Sequence, residues 1–86
     1  MTTSRLSTIA TRVRNADDRD ALALALDEAD EALGLVLTLG YSAPTLALAG
    51  LAFDDANKFA DLAPHARADA ARRFAVLLDV IDELTR

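Results

Sequence analysis

Apolar residues recur along this chain at spacings of three and four, the period of a helix face turned toward a core. Leu6, Ile9 and Val13 form the first such stripe and predict a helix over about residues 3–15, with Ser4 as its N-cap and Arg5 and Arg12 off the stripe. Leu22, Leu26, Ala29, Leu33 and Val36 step by four, three, four and three, a heptad-like seam in a second helix running from the Asp17–Asp18 region to about Leu39. A neighbouring line, Ala21, Ala25, Ala32, Leu35 and Leu39, widens that face and leaves a narrow polar side of Asp20, Asp27, Asp30, Glu31 and Thr38. A third helix, ending near Leu62, carries Leu48, Leu51, Ala52, Phe59 and Leu62 on one face, extended by Ala49, Phe53, Ala56 and Ala60. A fourth, over about 64–85, carries Phe74, Leu77, Leu78, Ile81 and Leu84, broadened by Val76 and Val80.

The breaks between stripes have the chemistry of helix ends. Asp17 and Asp18 suit the positive end of a helix dipole. Gly40 suits the left-handed residue that closes a helix, Ser42 or Thr45 can cap the next, and Pro44 and Pro64 sit where a missing N–H costs little. The connections are short, so successive helices lie side by side, mostly antiparallel. The expected fold is a single all-α domain over residues 1–86, a compact helical bundle of three long helices plus a short N-terminal one.

Composition sharpens this picture. The chain is 52% apolar, but much of that is alanine and only 5% of residues are aromatic, a balance that favours helix over strand. Eighty-six residues bury a limited share of their surface. The absence of cysteine removes disulfides and thiolate metal sites, and a single histidine argues against structural zinc, so no metal or cofactor is expected. Oligomerisation remains as support. The faces of the last three helices are wider than one small core needs, which predicts a homodimer or a protein partner. Leu35, Leu39, Leu46 and Phe53 lie off the main seams and are the expected external contacts; Tyr41, in the second connection, is a candidate anchor but reads more simply as a lid on the core.

The net charge of −5 is unevenly spread: +3 over residues 1–16, −8 over 17–62, and zero over 63–86. An acidic middle repels phosphate backbones and disfavours nucleic acid as a partner. The preponderance of arginine over lysine suggests a high-GC genome. The first apolar run is broken by Arg and Thr, so no signal peptide is expected. Residues 32–53 carry no charge, enough in length to span a bilayer, but Gly40, Ser42 and Pro44 interrupt them and both flanks are acidic, so a membrane span is not expected and a cytoplasmic location is.

Two short segments resemble known motifs. Gly40 with apolar Leu35, Leu39, Tyr41, Leu46 and Ala49 is similar to the turn of the bacterial helix-turn-helix repressors, over about twenty residues. The resemblance implies that Ser42, Ala43, Pro44, Ala47, Leu48 and Leu51 face bases, yet none is a bidentate donor or acceptor, Asp54 and Asp55 follow at once, and Val36 stands where that family has a small residue. Glu28 and Glu31, with Asp54 and Asn57 on the next helix, resemble the paired carboxylates with which all-α nucleotide pyrophosphohydrolases hold magnesium. The second pair is shorter and one charge poorer than in that family, and a solvated acidic face is the simpler reading.

Asp55 falls among Leu48, Leu51, Phe59 and Leu62 on a helical wheel, and Arg73 falls among Ala70, Val76, Leu77 and Val80. A carboxylate on an apolar face is costly unless paired, so Asp55 and Arg73 are candidates for a buried ion pair, within the chain or across a dimer, unless one or both reach out to the rim. His65 follows Pro64 at a helix start and reads as a surface residue. No serine has a recognisable base and orienting acid, so no catalysis is expected. The expected function is a small non-enzymatic interaction module, a regulator, inhibitor or adaptor. A degenerate helix-turn-helix regulator and a pyrophosphohydrolase-like protein are the alternatives.

Overall fold

Short connections decide how these helices meet. The computed structural model describes residues 3–59 and 62–85, with side chains from Leu6 onward, and contains four helices: α1 (Thr3–Asn15), α2 (Arg19–Thr38), α3 (Ala43–Lys58) and α4 (Pro64–Leu84). Ser4 lies inside the first turn of α1, and α3 closes four residues before the expected end at Leu62. Ala60, expected on the inner face of α3, and the side chain of Arg5 lie outside the described residues.

Each helix packs on two others. α1 lies against α2 and α4, and α3 lies against the same pair, so the four close into a ring with α1 on α4 as its most extensive contact. The result measures 35 × 22 × 17 Å. The helix ends follow the sequence chemistry. Asp18 caps α2, its Oδ1 accepting the Ala21 N–H at 2.8 Å. Gly40 turns the chain with φ +41°, in the left-handed region that costs glycine little. Ser42 is the N-cap of α3 by position, but its hydroxyl shares a hydrogen bond of 3.0 Å with that of buried Thr45 and makes no cap bond to the backbone.

The core is built on alanine as much as on leucine. Leu6, Ile9, Ala10 and Val13 of α1 are buried, as are Ala25, Leu26, Ala29, Ala32, Leu33 and Val36 of α2. On α3 the inward line is Thr45, Ala49, Ala52 and Phe59, and on α4 it is Ala71, Phe74, Ala75, Leu78, Ile81 and Asp82. The rings of Phe59 and Phe74 meet edge to face, centroids 5.6 Å apart, and tie the end of α3 to the middle of α4.

The last two helices keep their expected inward faces at Ala52, Phe59, Phe74, Leu78 and Ile81, but the edges of those faces open to solvent. Leu51, expected inside, is 59% exposed, and Val76, Val80 and Leu84 also lie outside. Small side chains share the inward position with the large ones, Ala49 and Ala52 with Phe59 on α3 and Ala71 and Ala75 with Phe74, Leu78 and Ile81 on α4, and leave no room there for the next line around each helix. Asp82 was hidden in the same way. It lies one and two turns beyond Leu78 and Ala75, on the line a leucine-based wheel ignores.

Truncating Phe74 is expected to cost about 3–5 kcal/mol of unfolding free energy, while Leu24→Ala on the exposed side of α2 is expected to change it by less than about 0.5 kcal/mol. Urea denaturation followed by circular dichroism measures both.

Candidate functional site

An apolar groove runs between α3 and α4, the least closely packed pair in the ring. It encloses about 650 Å³. Its walls are Leu48 and Leu62 from the α3 side and Val76, Leu77 and Val80 from α4, with the Phe59 and Phe74 rings at its base. Leu51 and Leu84 continue the exposed apolar surface along the same two helices. Helical spacing sets the alignment: Val76, Val80 and Leu84 recur every four residues, and Leu48, Leu51 and Asp55 recur at three and four.

Three charges edge this groove: Asp55, Lys58 and Arg73. The sequence expectation that Asp55 and Arg73 share one apolar region is met, because both line the same groove. The expectation of a buried pair within the chain is not. Both side chains are exposed, and among the described residues no ion pair joins them. Both lie at the outer edges of the α3 and α4 faces, lining the open groove with Val76 and Val80, where their charged ends reach water.

The other expected contact residues divide. Leu35 and Leu39 are exposed on α2. Tyr41 is half-buried against the core, the lid position. Leu46 is half-buried, and Phe53 is half-buried against the core, so neither is a free contact residue of the kind expected. The sequence reading missed the apolar row Val76–Val80–Leu84. Its signal was present, since α4 carries large apolar residues on more of its circumference than a single inward stripe can use.

The motif resemblances find little support in the geometry. α2 and α3 run back along each other as a hairpin. Asn57, near the end of α3, donates to Asp30 of α2 at 3.4 Å, and Ala56 and Phe59 flank the same cavity as Leu22 and Leu26. Helices that stay together in this way do not project the second one into a DNA groove. Glu28 is turned toward α1, where it accepts from Arg12. Asn57 is committed to the Phe53 carbonyl, 2.8 Å away, as well as to Asp30. Among the described residues no three histidines or carboxylates gather where they could hold a metal ion. No described helix is long and apolar enough to cross a membrane.

No protein-family model, curated protein or solved structure matches the chain. The functional reading therefore stands on its own surface.

The Arg12–Glu28 pair is solvent-exposed at both ends. Glu28→Gln is expected to cost less than about 1 kcal/mol at low salt, the range of exposed ion pairs, and less again at high salt. Thermal melts at two ionic strengths measure this, and magnesium is expected to leave the melting temperature of both forms unchanged.

Proposed function

We propose that this chain is a non-enzymatic protein–protein interaction module that acts as a homodimer through the α3–α4 groove. Exposed Val76 and Val80 lining that groove carry the reading, with exposed Leu51 and Leu84 on the same two helices. Single exposed leucines are ordinary, but a row of them flanking a concave apolar channel is the signature of a contact surface. A chain of 86 residues without disulfides gains the most from such a contact.

The charges at the edge support a second copy as occupant. A twofold interface is self-complementary, with each surface meeting its own image. Asp55 and Lys58 stand on the α3 side and Arg73 on the α4 side, so pairing the groove with its own image can bring the acid of one protomer to the arginine of the other. The Asp55–Arg73 pair expected from the sequence then forms between chains. Rim charges of this kind set register and specificity more than affinity.

Sedimentation equilibrium tests the reading. The native chain is expected to behave as a dimer, and Val76→Glu with Val80→Glu is expected to give a helical monomer. Asp55→Arg or Arg73→Asp alone is expected to weaken the dimer, and the two together to restore it. A native chain that stays monomeric at high concentration overturns the proposal.

A further inference from the structure

The chain is acidic overall, yet four of its eight arginines line one cavity. Arg14, Arg19, Arg67 and Arg72 surround a volume of about 490 Å³ between the α1–α2 connection and the first turns of α4. Asp17 and Asp18 border it too, but Asp18 is turned to the N–H of Ala21 as the cap of α2. Arg14 is paired with Asp79, and Arg72 with Asp69. Among the described residues Arg19 and Arg67 have no such partner. Arg67 is half-buried and Arg19 exposed, so both guanidinium groups, unpaired among the described residues, are open to an incoming anion.

Arg19 and Arg67 also line a second, adjoining cavity of about 260 Å³. Its other walls are largely apolar: Leu22, Ala23, Leu26, Ala56 and Phe59, with Asp27 and Asn57 at its edge. The two arginines, unpaired among the described residues, thus stand at the junction of an arginine-lined chamber and an apolar one. Together the chambers have the size of small-molecule sites. Guanidinium forks match phosphate oxygens in pairs, and an apolar chamber beside them accepts the body that carries the phosphate.

We propose that this double cavity binds a small organic phosphate, its phosphate group held by Arg19 and Arg67 and its apolar body lodged against Leu22 and Ala23. The acidic surface of α2 and α3 repels an extended nucleic-acid backbone along its length, whereas a small ligand meets, of the described acids, only Asp17, Asp18 and Asp27 at the cavity edges. The proposal does not depend on the homodimer, since the double cavity and the α3–α4 groove share only Phe59, which is buried.

The chain has no tryptophan and one tyrosine, so the fluorescence of 1-naphthyl phosphate can be followed with little background. That probe is expected to bind the full chain saturably, more tightly than inorganic phosphate or 1-naphthol alone. Arg67→Gln and Arg19→Gln are each expected to weaken it by about tenfold or more, the loss of a charge-assisted hydrogen bond, without changing helicity or mass in solution. Ala23→Trp, which fills the apolar chamber, is expected to weaken the naphthyl ester and leave inorganic phosphate unaffected, a split that a general loss of folding does not give. Sedimentation with phosphatidic acid vesicles, against phosphatidylcholine vesicles, separates the two sources of the same chemistry. Arginine-dependent capture by the former identifies a lipid headgroup, and its absence beside naphthyl phosphate binding identifies a soluble metabolite. No saturable binding of either, binding that survives both arginine substitutions, or binding only to a single-stranded oligonucleotide overturns the proposal.

Discussion

Close approach of helices through alanine is the constraint on which the rest of this structure depends. A bundle of four short helices can fill its centre with large side chains held apart or with small side chains drawn together. This chain draws its helices together, with Ala29 and Ala32 on α2, Ala49 and Ala52 on α3, and Ala71 and Ala75 on α4 all turned inward. Larger residues enter where the lines leave room: Phe59 and Phe74 at one level, and Ile9, Leu33, Leu78 and Ile81 elsewhere. Packing of this kind gains dispersion contacts along the backbone itself, and it leaves no inward position for a leucine on the next line around the helix.

The exposed apolar surface follows from that choice. Leu51, Val76, Val80 and Leu84 are outside because Ala49, Ala52, Phe59, Ala71, Phe74, Ala75, Leu78 and Ile81 already fill the inside, and the groove lies where α3 and α4 stand least closely together. The charges edging the groove share this origin. Asp55 and Arg73 occupy apolar neighbourhoods on the helical wheel, and those neighbourhoods face out.

Much of this was legible in the residues. The helix count, their approximate spans, the Asp18 cap and the left-handed Gly40 all rest on local chemistry within a few residues, where propensity and capping act strongly. The seam of α2 was legible because its leucines and its alanines lie next to each other and agree on one direction. On α3 and α4 they disagree. A hydrophobicity pattern weights Leu48, Leu51, Val76 and Val80 above Ala49, Ala52, Ala71 and Ala75, whereas close packing ranks them the other way. The inward direction was legible at Phe59, Phe74, Leu78 and Ile81, but the edges of the faces were drawn too wide, and Asp82 inside and Asp55 and Arg73 outside were missed with them. The cavity lined by Arg14, Arg19, Arg67 and Arg72 was beyond reach, because its walls are separated by more than forty residues and meet only through the docking of α4 beside the α1–α2 connection.

The dominance of the α1–α4 contact has a consequence for how the chain is made. Leu6, Ile9 and Val13 leave the ribosome early, but the helix that shields them is the last of the four to emerge. α2 covers part of their stripe as soon as it emerges, and the rest waits for α4. The ring closes only when α4 arrives, so native structure is acquired late, and the interval before it is when a chaperone has something to hold.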